Sequence, residues 1–149
     1  MTELEPCNEL ELDQQLCFAL YSTSLMMTKT YKPLLKELGL TYPQYLAMLV
    51  LWENDGITVG TLSKRLLTDP GSLTPLLKRL ENEALIKRQR STQDERVVEL
   101  LLTDKGRALR AQAQHIPGCI IKASEHSADA LRELKDDLIA LRQRLQSDQ

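Results

Sequence analysis

The sequence predicts a mainly α-helical fold with a small β wing formed by a hairpin. Three observations support this prediction: leucines at helical spacing lie on both sides of a TDPGS turn, a hairpin pattern follows directly, and apolar-faced helices flank the block. The central block covers about residues 57–107. An ordinary α+β domain with an exposed hairpin is the alternative interpretation of the same pattern.

Two short helices joined by a tight turn are predicted at the start of this block. Asp69 can cap the second helix, with Pro70 at its first position. Thr74 and Pro75 would make an equally good cap and first residue. We favour the earlier start, because Gly71 has no side chain to worsen the clash with the Pro75 ring. The leucines that define the two helices are Leu62, Leu66 and Leu67 before the turn, and Leu73, Leu76, Leu77 and Leu80 after it.

A two-stranded hairpin is predicted next. Charged and polar residues from Lys87 to Arg90 precede a turn-rich STQDER stretch, and β-branched and apolar residues follow from Val97 to Leu102. A helix that can enter the major groove, beside a hairpin that can reach the backbone or the minor groove, is the winged helix-turn-helix arrangement. The block is therefore expected to bind DNA.

Basic charge is concentrated in this part of the chain. The formal net charge is −2, but residues 60–110 carry 11 Lys and Arg against 7 Asp and Glu, whereas the remainder carries 8 against 14. This distribution favours DNA as the partner of the block.

The second helix and the wing carry the side chains expected to contact DNA. Hydroxyls and a proline ring near a helix N-terminus suit phosphate or base-edge contacts, and basic side chains suit phosphate or guanine. In the wing, Asp94 could orient Arg96 by a charge-assisted hydrogen bond. The alternative is that Lys78 and Arg79 form only a solvated face. The predicted contacts are Ser72, Thr74, Pro75, Lys78 and Arg79 on the helix, and Arg88, Arg90, Asp94 and Arg96 in the wing.

The flanking helices predict a homodimer. The first helix is expected from about Glu9 to Glu37, with Gly39 as its C-terminal cap. The next helix is expected to begin with Thr41 or Tyr42 as its cap. The helices of residues 1–37 and 108–149 are apolar on one side, which suits dimerisation around one domain of 149 residues. Two recognition helices about 34 Å apart would read a pseudo-palindromic operator. A helix packed on its own domain is the alternative. The C-terminal leucines at three- and four-residue spacing are Leu131, Leu134, Leu138, Leu141 and Leu145.

The N-terminus and the absence of a long apolar run predict a cytoplasmic protein. The first 16 residues hold five acidic and no basic residues, the opposite of a signal peptide, and no apolar run approaches the roughly 18 residues of a membrane span. In a reducing compartment Cys7, Cys17 and Cys119 are expected to rest as thiols. His115 and Cys119 lie four residues apart, but Pro117 and Gly118 are expected to interrupt the helix, so no metal and no cofactor are predicted.

With these motifs together, the chain resembles the MarR family of winged-helix regulators over nearly its whole length. The motifs that carry the resemblance are LTDPGSLTPLLKRLE, and the wing pattern DERVVELLLTDKG with Asp94, Arg96, Thr103 and Gly106. The N-terminal half resembles the organic hydroperoxide sensors of the OhrR type, through LCFALYS, KTYKPLL and LTYPQYLAMLVLWE. By this resemblance, Asp69, Arg88 and Arg96 occupy positions implicated in operator contact.

The resemblance implies a redox sensor. In those sensors a cysteine of the first helix is hydrogen-bonded by two tyrosines of the partner subunit, and Cys17, Tyr31 and Tyr42 match these three places. Tyrosine hydroxyls that donate to sulfur favour the thiolate, which attacks a peroxide O–O bond. Cys119 matches the region of the second cysteine of a two-cysteine subclass, which implies a disulfide with oxidised Cys17 and release of the operator.

Two other functions remain open from the sequence. A MarR-type regulator released by a phenolic or other small molecule would use Cys17 as a core residue. A two-cysteine thiol peroxidase would turn over with a dithiol donor, but the chain has no recognisable peroxidase motif around Cys17. We therefore expect a repressor and not an enzyme.

Overall fold

Over residues 10–149, a computed structural model shows one short 3-10 helix, seven α-helices and three β-strands. Cys7 and Glu9 lie outside these described residues. The chain divides into two compact units, of which the first ends at Ala113 and the second spans Gln114–Gln149. The elements are the 3-10 helix Leu12–Gln14, α1 Leu16–Lys36, α2 Tyr42–Glu53, β1 Ile57–Thr58, α3 Val59–Arg65, α4 Pro70–Asn82, β2 Ile86–Arg90, β3 Val98–Leu102, α5 Asp104–Ala113, α6 Ile116–Ser124 and α7 Ala128–Ser147.

The first long helix begins later than the sequence predicted. Gln15 has an extended backbone, with φ −91° and ψ 121°, and it separates the short 3-10 helix from α1. The expected start near Glu9 was therefore wrong for the described part of this segment. Leu12 and Leu16 keep helical spacing across the break, so hydrophobic periodicity could not reveal it.

The junction between α1 and α2 confirms the predicted caps. Gly39 has φ +71°, and the amides of Gly39 and Leu40 donate to the carbonyls of Lys36 and Leu35 at 3.1 Å each. This is a Schellman motif, in which the buried Leu35 and Leu40 supply the usual apolar contact. Thr41 then caps α2 through a capping box with Gln44.

The helix-turn-helix forms as predicted, with α4 starting at Pro70. The Asp69 side chain accepts a hydrogen bond from the Ser72 amide at 2.9 Å, and Pro75 lies inside the helix. The turn before it depends on Leu67, whose φ is +54°. The Leu67 and Thr68 amides donate to the Lys64 and Ser63 carbonyls, which completes a Schellman motif without glycine.

The predicted hairpin is present, but it belongs to a three-stranded antiparallel sheet. The strand order is β1-β3-β2, and β1 pairs Ile57 with Leu100 and Thr58 with Glu99. In the hairpin, Arg88 lies opposite Leu100 and Arg90 lies opposite Val98. Strand β1 leads directly into α3 and pairs with β3 of the wing, so it connects the wing to the helix-turn-helix.

The Thr103 and Gly106 motif attaches α5 to the turn that follows α4. The Thr103 hydroxyl donates to the Ala84 carbonyl at 2.6 Å and accepts from the Gly106 amide at 3.0 Å. A Cβ at Gly106 would lie 2.1 Å from the Leu85 carbonyl oxygen, so the close approach requires glycine. The Gly106 carbonyl accepts a 2.8 Å hydrogen bond from the Trp52 indole. This part of the wing pattern is therefore structural.

Helix α2 is the centre of the first unit. It contacts α1, α3, α4, α5 and β3. The side chains of Met48 and Leu51 are fully buried, as are those of Leu73, Leu77 and Leu80 on the inner face of α4. This apolar contact orients α4 so that its other face is exposed.

The second unit consists of α6 and α7. Pro117 lies in the first turn of α6, so Pro117 and Gly118 begin a helix and the expectation that they interrupt one was wrong. Ser127 caps α7 through the Ala130 amide, and no residue of α7, which is described throughout, is buried. Among residues 10–149, no helix is both long enough and apolar enough to cross a membrane.

Candidate functional site

The exposed face of α4 holds all five of its predicted DNA contacts. Ser72, Thr74, Pro75, Lys78 and Arg79 are exposed, whereas the leucines between them are buried or half-buried. The helix therefore presents hydroxyls and basic groups on one side while its other side is fixed in the core. This arrangement suits insertion into a DNA groove.

Asp69 caps the N-terminus of α4. Its carboxylate accepts from both the hydroxyl and the amide of Ser72, each at 2.9 Å. These hydrogen bonds, that of the Ser72 side chain first, lower the pKa of Asp69 below its usual value. Asp69 therefore stays charged at neutral pH and holds the Ser72 hydroxyl, so any DNA contact would be made by a preoriented pair.

The wing presents Arg96 in a fixed orientation. The predicted contact with Asp94 is present, because Arg96 donates from Nε at 3.1 Å and from Nη2 at 3.2 Å to the two carboxylate oxygens. The same hydrogen bonds lower the pKa of Asp94. The Arg96 side chain is 90% exposed, so the contact orients it without burying it. Arg90 donates to the Glu95 carbonyl at 2.8 Å, which braces the turn.

A groove of about 490 Å³ lies between α4 and the wing. Arg88 and Arg96 line one side of it, and Pro70 and Thr74 line the other. Two guanidinium groups and a helix N-terminus around one concave surface are the elements that bind phosphate oxygens. The structure therefore brings one predicted contact of the helix, Thr74, together with two of the wing, Arg88 and Arg96.

Cys17 lies in the first turn of α1 and is exposed. The apolar side chains around it on α1 are exposed as well, which is unusual for residues of this size. Within α1, all of which the structure describes, Leu35 alone is buried. The large exposed hydrophobic residues of α1 are Leu16, Leu20, Tyr21, Leu25, Met26 and Met27.

Tyr31 and Tyr42 lie together at the other end of α1. Their ring centroids are 5.0 Å apart, and Tyr45 completes the cluster at 5.8 Å from Tyr31 and 6.4 Å from Tyr42. Tyr45 was not predicted as part of the site, and its spacing of three from Tyr42 is the signal that could have found it. The structure thus shows three tyrosines where two were predicted.

The cluster keeps these tyrosines protonated. Burial, and then the nearby Tyr42 and Tyr45, raise the pKa of Tyr31 to about 12. Burial also raises the pKa of Tyr42, and burial followed by Tyr42 raises that of Tyr45. A protonated phenol is a hydrogen-bond donor. The cluster therefore offers neutral O–H groups throughout the physiological pH range.

Cys17 and Tyr31 of one chain are too far apart to interact. Their separation along α1 is close to four turns, which at 1.5 Å per residue places their α-carbons about 21 Å apart. A contact between this cysteine and this tyrosine requires a second chain.

A groove of about 680 Å³ adjoins the tyrosine cluster through Tyr42. Leu25, Leu35 and Leu40 contribute its apolar surface, and the lysines at positions 29, 32 and 36 of α1 contribute its basic edge. The groove can accommodate an apolar group of moderate size.

Cys119 lies in the first half of α6 and is half-buried. Its amide donates to the His115 carbonyl at 3.1 Å. Among residues 10–149, no group of three or more His, Cys, Asp or Glu side chains is arranged to hold a metal ion.

The fold and the basic helix and wing define a winged helix-turn-helix regulator. A family model described as transcriptional regulator SarA/Rot matches residues 29–112. The organic hydroperoxide resistance transcriptional regulator of Bacillus subtilis (strain 168) is 48% identical over 134 residues, which cover 90% of this chain and 91% of that protein. The chain therefore belongs to the SarA/Rot family of MarR-like winged-helix transcriptional regulators, which confirms the resemblance.

Solved structures with the same fold include two states of AbfR, a protein of Staphylococcus epidermidis. The structure of reduced AbfR bound to DNA is 33% identical with a TM-score of 0.77, and the match covers 91% of this chain and 93% of that one. The structure of disulfide-formed AbfR is also 33% identical with a TM-score of 0.63, and the match covers 95% and 94% of the two chains.

Proposed function

We propose that this protein is a homodimeric repressor that senses organic hydroperoxides through Cys17 and then releases its operator DNA. The observation that carries the proposal is the exposed Cys17 on an apolar helix that also bears Tyr31, about 21 Å away in the same chain. The two residues can interact only if Cys17 of one chain meets Tyr31 of a second chain. The relative named for organic hydroperoxide resistance supports the same function.

The dimer is supported by the exposed apolar faces of α1 and α7. Leu134, Leu138 and Leu145 of α7 are between 38% and 54% exposed, and the exposed large apolar residues of α1 lie between Leu16 and Met27. Exposed apolar surfaces of this extent in a DNA-binding regulator indicate an interface. A two-fold axis between two copies would place two α4 helices on one side of a pseudo-palindromic operator.

DNA binding is supported by the exposed face of α4 and by the arginines of the wing. Ser72, Thr74, Pro75, Lys78 and Arg79 would approach the major groove, and Arg88, Arg90 and Arg96 would approach the backbone or the minor groove. Asp69 and Asp94 would hold Ser72 and Arg96 in position. A structurally similar relative, reduced AbfR, has been solved bound to DNA, which supports DNA as the partner.

The proposed chemistry begins with the Cys17 thiolate of one subunit beside Tyr31 and Tyr42 of the other. The sulfur attacks the outer peroxide oxygen of the hydroperoxide, so that an S–O bond forms and the O–O bond breaks. The alkoxide leaves as an alcohol after taking a proton, and the cysteine becomes a sulfenic acid. Neutral tyrosine hydroxyls stabilise the thiolate by donating to it.

Cys119 of the other subunit is the proposed resolving residue, so that the disulfide would link the two chains. Its thiolate attacks the Cys17 sulfenic sulfur, an S–S bond forms and the S–O bond breaks. The hydroxide leaves and takes a proton from solvent to become water. A disulfide requires α-carbons within about 7 Å, so a pair that rests further apart can close only by movement of the dimer helices. Such movement would change the spacing of the two α4 helices and release DNA. A dithiol would restore the reduced state.

The groove beside Tyr42 supports an organic substrate. Its apolar surface suits the alkyl or acyl part of a hydroperoxide better than bare hydrogen peroxide. The same groove also supports the second candidate, a regulator released by a phenolic or other apolar small molecule without redox chemistry. In both cases the protein acts as a regulator and not as an enzyme.

Release of DNA from the wild type and from Cys17→Ser separates the two candidates. The reduced protein is titrated onto a labelled fragment of its own upstream DNA, and one equivalent of cumene hydroperoxide is then added. We expect release from the wild type, recovery with dithiothreitol, and no release from Cys17→Ser. Release that is equal in both proteins, or that requires a phenolic ligand instead, would favour the second candidate.

A further inference from the structure

Glu81 and Arg88 form a two-point contact between the recognition helix and the wing. Arg88 donates from Nη2 to Oε1 at 3.1 Å and from Nε to Oε2 at 3.4 Å. Glu81 lies in the last turn of α4, and Arg88 lies in the middle of β2. Planar pairing of this kind fixes the direction of a guanidinium group as well as its position.

The contact is better protected from water than that of Arg96. The side chains of Arg88 and Glu81 are 35% and 37% exposed, whereas the Arg96 side chain is 90% exposed. The hydrogen bond from Arg88 lowers the pKa of Glu81, which keeps this carboxylate charged at neutral pH. Arg88 is therefore the less exposed of the two arginines.

The contact leaves Arg88 able to bind a second anion. A guanidinium group has five N–H donors, and Glu81 occupies one on Nε and one on Nη2. The donors on Nη1 and the second on Nη2 remain for another acceptor. Arg88 lines the groove that Thr74 and Arg96 also line, so an acceptor there would meet both wing arginines and α4.

We propose that Glu81 is a positioning residue for DNA binding, which holds Arg88 so that its remaining donors meet a backbone phosphate in this groove. The inference rests on the proposed DNA-binding function and assigns Glu81 a role within it. The opposite role would be competition, in which Glu81 withdraws Arg88 from the phosphate. The two roles predict opposite effects when the carboxylate is removed.

The sign of the effect is informative because Glu81 is negatively charged. Removing an acidic group beside a phosphate relieves repulsion, so electrostatics alone predicts tighter DNA binding by Glu81→Gln. Loss of positioning predicts weaker binding, since the amide keeps one acceptor but cannot form the charged two-point contact. A structural role without Arg88 would change thermal stability and leave the affinity of the folded protein unchanged.

The test measures operator affinity of the full-length reduced dimer by fluorescence anisotropy over a range of salt concentrations. The variants are Glu81→Gln, Glu81→Asp, Arg88→Ala and the double variant Glu81→Gln with Arg88→Ala. Glu83→Gln is the matched control, because it removes the same charge two residues away at the exposed end of α4. Thermal unfolding of each variant without DNA monitors folding.

We expect Glu81→Gln to bind operator about three- to tenfold more weakly, because Arg88 keeps its charge and loses only its orientation. Glu81→Asp should be weakened by a smaller factor. Glu83→Gln should bind as the wild type does or slightly more tightly. In the Arg88→Ala background, Glu81→Gln should cause no further loss. The salt dependence of Glu81→Gln should fall toward that of Arg88→Ala.

Unchanged or tighter binding by Glu81→Gln would overturn the proposal, as would a loss that persists without Arg88. If Glu81→Gln does not fold, Glu81→Asp is the deciding variant. A role of charge alone predicts that Glu81→Asp binds as the wild type does, whereas positioning predicts weaker binding. The wild type is treated with cumene hydroperoxide in the same assay. If it binds and releases DNA while Glu81→Gln binds equally well, only the role of Glu81 fails. If the wild type does not bind DNA, the role of Glu81 and the proposed DNA-binding function both fail.

Discussion

Cys17 and Tyr31 lie on one helix about four turns apart, so each can meet the other only across an interface between two chains. Hydrophobic side chains exposed along the same helix supply that interface. The proposed sensor is therefore complete only in the dimer, where the thiol and its hydrogen-bond donors come from different subunits.

Mixed dimers test this arrangement directly. A subunit with Cys17→Ser, Tyr31→Phe and Tyr42→Phe is paired with a wild-type subunit, so that the remaining Cys17 faces a partner without the tyrosines. Its oxidation by cumene hydroperoxide should slow by about tenfold or more, since a hydrogen bond to a charged group contributes about 1.5–3 kcal/mol. Sulfenic acid trapping with dimedone, followed by mass spectrometry, gives the rate.

The matched dimer places the substitutions on separate chains. A Cys17→Ser subunit is paired with one that carries Tyr31→Phe and Tyr42→Phe, so that the remaining Cys17 faces intact tyrosines. This dimer should react at the wild-type rate per cysteine. Equal rates in the two mixed dimers would contradict the contact of Cys17 with the tyrosines of the other subunit.

The tyrosine cluster predicts a specific alkaline titration. The pKa of Tyr31 is raised to about 12, so its phenol should remain protonated at pH 11, where an ordinary tyrosine is ionised. The unfolded chain loses this proton first, so stability from Tyr31 is complete below about pH 10 and is lost as the pH rises from about 10 to 12. The difference in absorbance at 295 nm between wild type and Tyr31→Phe measures the pKa. A midpoint near 10 would show that the cluster does not protect the phenol.

Arg96 is predicted to act on DNA affinity through phosphate charge. Arg96→Ala should weaken operator binding and lower the slope of log affinity against log salt by about 0.9 for each phosphate that Arg96 neutralises. Asp94→Asn should weaken binding less, because the guanidinium remains but no longer has a charged two-point partner. Anisotropy titrations at several salt concentrations measure both effects. An unchanged slope in Arg96→Ala would exclude a phosphate contact by this side chain.

Gly106 is predicted to be essential for stability and not for DNA contact. Gly106→Ala would place a methyl group 2.1 Å from the Leu85 carbonyl oxygen, so the backbone must shift. We expect a loss of about 2–4 kcal/mol in the free energy of unfolding, measured by urea titration. Gly60→Ala is the control, since its nearest neighbour, the Thr58 hydroxyl oxygen, would be 3.8 Å away. Similar stability of the two variants would contradict the close approach at Gly106.

The sequence predicted most of the helical elements because their ends carry strong local signals. Gly39, Thr41 and Asp69 all mark helix boundaries that the structure confirms. The predicted start of α1 was wrong, since the leucine spacing continues through the extended Gln15. Strand β1 was missed because it has only two residues, and its pairing with β3 depends on the tertiary fold.

Contacts across elements were harder to predict than residue types. The pair of Asp94 and Arg96 lies within one turn and was predicted from spacing. The pair of Glu81 and Arg88 joins a helix to a strand, and it depends on Ala84, which adopts φ +60° without being glycine. No local signal marks that turn, so the sequence could not show that Glu81 would reach Arg88.

The most direct test of the sensor is to follow DNA occupancy and cysteine linkage in the same samples. Reduced wild type, Cys17→Ser and Cys119→Ser are bound to operator, treated with one equivalent of cumene hydroperoxide, and sampled for anisotropy and for non-reducing gels. We predict that the wild type releases DNA as a disulfide-linked dimer appears, that Cys119→Ser is oxidised without linkage, and that Cys17→Ser does neither. DNA release by Cys17→Ser, or linkage in the wild type without release, would contradict the proposed switch.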